Sequence, residues 1–159
     1  MSVTVRVATI ADAPLILEFI RELAEYERLL HEVEITEGDI RRDLFGENPR
    51  AFCDIAENDG EPVGFALWFY NYSTFRGRAG IYLEDLFVLP EARGLGAGKA
   101  LLRRLAQRCM EAELGRLEWS VLDWNTPAIE FYDSLNAMAM QEWTVRRLYG
   151  EALQNLAES

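Results

Sequence analysis

The sequence predicts an α+β fold in which a mixed, mostly antiparallel central sheet is flanked by helices. The chain of 159 residues has the length of one domain, and 50% of its residues are apolar, enough to bury a core. Three strand patterns follow one another between residues 51 and 88 without a helix, which indicates antiparallel pairing. Helical periodicity lies on both sides of these strands. We therefore expect a single domain over residues 1–159.

The elements before residue 50 follow from periodicity and capping residues. Apolar residues at every second position over 3–7 predict a first strand. Asp12 is expected to cap a long amphipathic helix that continues to about Leu30. Thr36 and Asp39 have the spacing of a capping box and predict a second, shorter helix.

The remaining elements are predicted from alternation, turn residues and helical stripes. The first of them are a strand at 51–57, a turn at 58–60, a strand at 62–70, an exposed loop at 71–80 and a strand at 81–88. A helix then follows Lys99 and ends near Gly115, before a strand at 117–122, a helix at 126–135 and a final strand at 143–149.

The charge balance limits the classes of partner. Sixteen Lys and Arg against 27 Asp and Glu give a net charge of −11, which repels polyanions and attracts cationic small molecules. We therefore expect no nucleic-acid partner. No stretch approaches about 18 uninterrupted apolar residues, and the opening residues lack an apolar signal segment. We expect a cytoplasmic protein with no membrane partner.

The cysteines and the one histidine do not form a pattern of metal ligands or nucleophiles. Cys53 and Cys109 stand in apolar surroundings outside any C-x-x-C or zinc spacing, so we expect buried, reduced thiols. His31 has Glu32 beside it and no further ligating residues, which favours a surface position. We expect no metal and no acyl-enzyme intermediate.

The segment Arg93-Gly94-Leu95-Gly96-Ala97-Gly98-Lys99 predicts a phosphate site. It lies between a strand and a helix, where free backbone N–H groups and the positive end of the helix dipole meet. Glycine lets the backbone approach an anion, and Arg93 and Lys99 add positive charge. The alternative interpretation is a plain glycine turn. Arg93 and Ala100 stand where a Walker A loop needs Gly and Ser or Thr, and Lys99 stands where a dinucleotide fingerprint needs Gly.

The remaining pattern, R-x-x-G-x-G, resembles the pyrophosphate loop of the GCN5-related N-acetyltransferase (GNAT) superfamily. Three further segments resemble its diamine, spermidine/spermine-type branch, over roughly residues 3–149. They are Tyr82-Leu83-Glu84-Asp85-Leu86-Phe87-Val88, Asn125-x-Pro127-x-x-x-Phe131-Tyr132 and Glu22-Leu23-Ala24-x-Tyr26-Glu27. The resemblance implies a GNAT-type fold, acetyl-CoA as co-substrate and a homodimer.

The resemblance also implies a set of cofactor contacts. The backbone of Leu86, Phe87 and Val88 is expected to pair with the pantetheine arm, and Asn125 to contact the cofactor. The pyrophosphate is expected at the loop that comprises Arg93, Gly94, Leu95, Gly96, Ala97, Gly98 and Lys99. One departure is Asn136, where the family usually has Gly; because Asn tolerates left-handed geometry, we expect the helix end to survive.

The catalytic and substrate contacts are implied in the same way. Tyr132 is expected near the thioester sulfur as general acid, and Glu84 to bind the incoming amine or draw off its proton through water. Tyr26, Glu27 and Asp85 are expected to help seat a cationic substrate. The alternative interpretations are solvated strand-end charges, a solvated helix end and, for Tyr132, an aromatic core position.

Elementary acid–base chemistry supports these roles. An amine with a pKa of about 10.4 is protonated at neutral pH, and freeing its lone pair costs about 4 kcal/mol, so a carboxylate or water relay has to take the proton. A phenol with a pKa near 10 is a weaker acid than a thiol near about 8.5, so hydrogen bonding to the developing thiolate is the main contribution expected of Tyr132.

Together these features predict an N-acetyltransferase that moves acetyl directly from acetyl-CoA to a small cationic amine. The expected acceptor is a polyamine or a lysine-like amino acid. Protein N-termini or lysines are the alternative acceptors, and a non-catalytic acyl-CoA-binding sensor is the alternative class of protein.

Overall fold

A five-stranded sheet in the order β1-β2-β3-β4-β5 organises the larger part of the chain. The computed structural model describes residues 2–159. The strands are β1 (Val3–Val7), β2 (Phe52–Asn58), β3 (Glu61–Ser73), β4 (Arg78–Val88) and β5 (Leu117–Trp119), and the helices among them are α1 (Ala13–Tyr26), α2 (Glu37–Phe45) and α3 (Ala97–Glu111). The first three strand pairs are antiparallel and β4 with β5 is parallel. The predicted mixed, mostly antiparallel sheet is confirmed.

The chain divides into two compact units, of which the first ends at Leu122 and the second is Asp123–Ser159. In the first unit, one face of the sheet packs against α1 and α2. The Phe19 ring of α1 stacks on Phe65 of β3, with ring centroids 5.4 Å apart. The buried residues of this core include Ile16, Phe19, Ile40, Ile55, Phe65 and Phe87. Both cysteines are free and buried, as expected.

The opposite face of the sheet packs against α3 and contains a buried ion pair. Arg108 Nη2 of α3 donates to Oδ1 of Asp54 on β2, and the Asp54 side chain is only 1% exposed. The Arg108 guanidinium also lies over the Trp68 ring of β3, 5.3 Å from its centroid. This pair fixes the helix that follows the glycine loop onto the sheet.

Removing one member of this pair should destabilise the fold strongly. Arg108→Leu leaves the Asp54 carboxylate buried without a counter-charge, and we expect a loss of about 3–5 kcal/mol in the free energy of unfolding, measured by urea titration. Arg42→Leu is the matched control, because this arginine is exposed and its ion pair with Asp43 is screened by solvent, so the loss should be much smaller. Equal losses in the two variants would contradict a structural role for the buried pair.

Both helix starts predicted from capping residues are found, but at α1 the capping residue makes a different contact from the expected one. Thr36 accepts from the Asp39 N–H and its own N–H donates to Asp39, so the predicted capping box of α2 is confirmed. Asp12 stands at the N-cap of α1, but its carboxylate binds the Arg6 guanidinium and the Thr9 N–H instead of the helix. Helix α1 ends at Tyr26, before Leu30, because Arg28 adopts a φ of +63°.

The hairpins differ from the prediction in length. The turn at Asp59-Gly60 is confirmed, with both residues at positive φ as a tight hairpin turn requires. The predicted exposed loop at 71–80 is wrong, because β3 continues to Ser73 and pairs with β4 from Arg78. Tyrosines at 70 and 72 are strong strand formers and extend the ladder. The strand predicted at 117–122 is shorter and ends at Trp119.

The second unit contains two helices, α4 (Thr126–Ser134) and α5 (Gly150–Glu158). The predicted final strand at 143–149 is wrong, since no strand pairs with this stretch. Its β-forming residues lack a neighbouring ladder, and Trp143 is 77% exposed. Asn136 has a φ of +62°, so the left-handed position after α4 is confirmed. No helix among residues 2–159 is long and apolar enough to cross a bilayer.

Candidate active site

The glycine loop ends directly on the first turn of α3. Gly94 and Gly96 have φ values of +85° and +87°, a backbone region that side chains rarely allow. A Cβ added at either glycine would meet nothing within 4 Å, so the space in front of the loop is open. Gly96 is the N-cap of α3, and Ala97, Gly98 and Lys99 form the first helical turn.

The N-terminus of α3 has no side-chain cap, whereas those of α2 and α4 have one. Thr36 caps α2, and Asn125 caps α4 by accepting from the Ala128 N–H, but glycine offers α3 no side-chain acceptor. The first-turn N–H groups have no acceptor within the helix and are positively polarised. They fit a phosphate oxygen, and Arg93 and Lys99 are exposed beside them.

Strand β4 offers an open edge that leads to this loop. Its residues Ile81–Leu83 pair with β5 on one side, and the pairing with β5 stops there. From residue 84 to 88 the described chain places a strand only on the β3 side. The backbone of Leu86, Phe87 and Val88 therefore has one edge free for an extended ligand, as the resemblance implied.

A β-bulge separates the two adjacent acids of β4. Leu83 pairs with Trp68 and Asp85 pairs with Leu67, so Glu84 is the extra residue of the bulge. Because Trp68 and Leu67 face opposite sides of the sheet, the bulge also turns Leu83 and Asp85 to opposite sides. Asp85 joins the α1 side, where Leu67 belongs to the core, while Glu84 is exposed.

The electrostatics of this end of the site are dominated by carboxylates. Burial, together with the charges of Glu84 and Glu27, raises the pKa of Asp85 from its ordinary value of 3.8 to about 7. Burial also raises the pKa of the Glu27 carboxyl, which directly follows α1. A carboxyl group whose pKa is raised by burial is stabilised in its ionised form when a cation binds beside it. This end of the site therefore favours an ammonium group.

Tyr26 links the acidic end to the glycine loop. The Arg93 guanidinium lies over its ring, 5.0 Å from the centroid. This contact brings the end of α1 next to the start of the loop and was not predicted from the sequence. The spacing between residues 26 and 93 carries no signal of it, because the contact depends on tertiary packing.

Two predicted site residues lie in the second unit. Asn125 is buried, 7% exposed, and its side chain caps α4. Tyr132 is half-buried on α4, with its ring centroid 5.6 Å from that of Phe131. The predicted contacts of both residues with the cofactor stay predictions. His31 is exposed beside Glu32, as expected of a surface histidine.

Comparison with known proteins relates these features to one family. Residues 16–137 match the model of the acetyltransferase (GNAT) family. A thialysine N-epsilon-acetyltransferase of Bos taurus is 42% identical over 98% of this chain and 97% of its own length. An L-ornithine N5-acetyltransferase of Arabidopsis thaliana is 31% identical over 94% of this chain and 86% of its own. An integron cassette protein of V. cholerae superposes with a TM-score of 0.82 at 28% identity, covering 100% of this chain and 99% of that one.

Proposed function

The chain belongs to the acetyltransferase (GNAT) family, and we propose that it moves acetyl from acetyl-CoA to the primary amine of a small cationic acceptor, a polyamine or a lysine-like amino acid. The observation that carries the choice of acceptor is the cluster of Glu27, Glu84 and Asp85 at one end of the site. Relatives named for thialysine and L-ornithine, both cationic amino acids, support it.

The residues of the loop would hold acetyl-CoA by its phosphates. The first-turn N–H groups of α3 donate to no side-chain cap and suit the pyrophosphate, with Arg93 and Lys99 adding charge. The open edge of Leu86–Val88 would bond the amides of the pantetheine arm. When bound, acetyl-CoA supplies a thioester carbonyl that an amine can attack.

The remaining proposed roles concern the proton of the amine and the negative charge that develops on the sulfur. Glu84 binds the incoming amine or takes up its proton through water, and Tyr132 hydrogen-bonds the sulfur as negative charge gathers there. Asn125 contacts the cofactor. The acetyl group passes directly to the amine because neither buried cysteine is placed to carry it.

Neutralising Glu27 should weaken acceptor binding more than turnover. Glu27→Gln removes one carboxylate from the acidic end, and we expect the KM for a diamine to rise about 10-fold while kcat changes little. Steady-state kinetics with saturating acetyl-CoA measures this. Glu25→Gln, an exposed position in the last turn of α1, is the matched control and should leave the KM unchanged. A wild-type KM for Glu27→Gln would remove Glu27 from the acceptor site.

We also propose that the protein is a cytoplasmic homodimer. The second unit supports a dimer because it exposes many large apolar side chains. They are Met138, Met140, Trp143, Val145, Leu148, Tyr149, Leu153 and Leu156. Apolar surface of this extent is typical of an interface. Light scattering on the purified chain should give twice the mass of 18.2 kDa, and a monomer at micromolar concentration would contradict the dimer.

A further inference from the structure

The bulge in β4 gives the two adjacent carboxylates different surroundings. Glu84 is exposed, whereas Asp85 is turned to the α1 side of the sheet and is partly buried beside Leu67. We infer that Asp85 is the proton acceptor for the ammonium group of the acceptor, with Glu84 and Glu27 as the flanking charges. The inference rests on the proposed function and assigns its base to Asp85, so that of the two roles proposed for Glu84 only the binding of the amine remains.

Asp85 has no ionic partner, unlike two more deeply buried acids of this unit. Asp54 is paired with Arg108, and Asp12 is paired with Arg6. Among residues 2–159, no side-chain hydrogen bond or ion pair involves the Asp85 carboxylate. A partly buried carboxylate without a counter-charge is costly in its ionised form, and an ammonium group bound beside it would supply the cation.

The groups around Asp85 favour its protonated form. Glu27, at the end of α1, and Glu84, the preceding residue of β4, both place negative charge near Asp85. The Cys53 thiol on β2 is near enough for the Asp85 charge to affect it. The residue opposite on β3 is Leu67, which is apolar. Arg93, the cation at this end of the site, is placed over the Tyr26 ring.

These surroundings make Asp85 a better base than an ordinary aspartate. Burial and the two neighbouring acids raise its pKa to about 7, which brings it closer to the pKa of about 10.4 of a lysine-like amine. A base is most effective when its pKa lies near the working pH, because it is then both available and strong. Below pH 7, Asp85 carries a proton and cannot accept another.

The proposed reaction moves acetyl from sulfur to nitrogen and releases one net proton. One N–H proton of the ammonium group moves to an Asp85 carboxylate oxygen, and the freed nitrogen lone pair forms a bond to the thioester carbonyl carbon. The carbon–sulfur bond breaks and its electron pair goes to sulfur. The nitrogen gives up a second proton, which reaches the departing sulfur through water, so the products are the neutral acetylated amine and the CoA thiol. Asp85 returns the first proton to water.

Kinetics with two acceptors separates a base from a binding group. For a lysine-like amine, Asp85→Asn should lower kcat about 100-fold or more, the usual contribution of a general base. For an amine whose own pKa lies near neutrality, the loss should stay below about 10-fold, since much of it is already unprotonated. Asp59→Asn, in the β2–β3 turn, is the matched control and should be active with both amines. Equal losses of Asp85→Asn with both amines would overturn the inference.

Thermal unfolding gives a readout that does not depend on turnover. Because the pKa of Asp85 is raised in the folded state, its ionisation costs stability as pH rises from about 4 to 7, and the full cost remains above pH 7. Asp85→Asn should therefore melt at a higher temperature than the wild type at pH 8, with little difference near pH 4. A lower melting temperature at both pH values would show a structural role and overturn the inference.

The pH dependence of kcat tests whether Glu84 influences the pKa of Asp85. The wild-type kcat should rise with pH through about 7, and Glu84→Gln should move this rise to lower pH because it removes a negative neighbour. An unmoved profile would overturn the role given to Glu84. An active wild type with an unaffected Asp85→Asn variant would refute the inference alone, whereas a wild type inactive with every amine would refute the proposed function as well.

Discussion

Gly96→Val should raise the KM for acetyl-CoA about 100-fold while the KM for the amine changes little. Gly96 is the N-cap of α3, and the open space in front of it is where the phosphates are expected. A valine side chain would fill that space and separate the anion from the first-turn N–H groups. The loss of about two hydrogen bonds to a charged group corresponds to about 3 kcal/mol, or two orders of magnitude.

A matched variant separates this effect from backbone strain. Gly60, in the β2–β3 turn, has a φ of +85° and the same open surroundings as Gly96. Gly60→Val therefore has the same backbone strain at a position outside the loop and should keep a normal KM for acetyl-CoA. Calorimetric titration with CoA measures both variants. Wild-type affinity in a folded Gly96→Val variant would refute the phosphate site.

Tyr132→Phe should lower kcat by about 10- to 1,000-fold with little change in acetyl-CoA affinity. The phenol is expected to act as the carbon–sulfur bond breaks, so it stabilises the transition state and contributes little to ground-state binding. Because a phenol with a pKa near 10 is a poor acid toward a thiolate, the residual rate should be measurable.

Steady-state kinetics and a melting curve distinguish this role from a packing role. Tyr149→Phe, an exposed tyrosine of the same unit, is the control and should be fully active. A packing role predicts the reverse pattern, a normal kcat with a lower melting temperature. A wild-type kcat for Tyr132→Phe would remove this residue from the catalytic site.

Much of the first unit could be predicted because local signals and tertiary packing agree. The capping box of Thr36 and Asp39 and the turn at Asp59-Gly60 each depend on a few adjacent residues. Such features are determined by backbone geometry that only certain residue types allow. The antiparallel pairing of β2, β3 and β4 followed from the same signals. Helix α3 begins at Ala97, two residues before the predicted limit at Lys99.

The β-bulge could not be predicted in this way. Simple alternation places Leu83 and Asp85 on one face of β4, with Glu84 on the other. The extra residue at Glu84 reverses this for Asp85, and it is determined by pairing with Leu67 and Trp68 on β3. The sequence therefore indicated two acids beside each other, without indicating which one lies in the buried environment.

At residues 143–149 the sequence predicted a strand that the structure does not contain. Its residues have high strand propensity, yet strand formation needs a neighbour that completes the hydrogen bonds, and none pairs with it. Helix α5 was not predicted at all, although Leu153 and Leu156 have helical spacing. Propensity alone does not decide between such outcomes.

Turnover of acetyl-CoA by the purified chain with a panel of amines tests the proposed acetyltransferase activity. The panel contains spermidine, L-lysine, thialysine and L-ornithine, with peptides that offer a free N-terminus or a lysine. We expect release of free CoA thiol with at least one small cationic amine, and mass spectrometry should find the acetylated amine. Acetylation of the peptides alone, or tight CoA binding with no acetylation of any amine, would contradict the account.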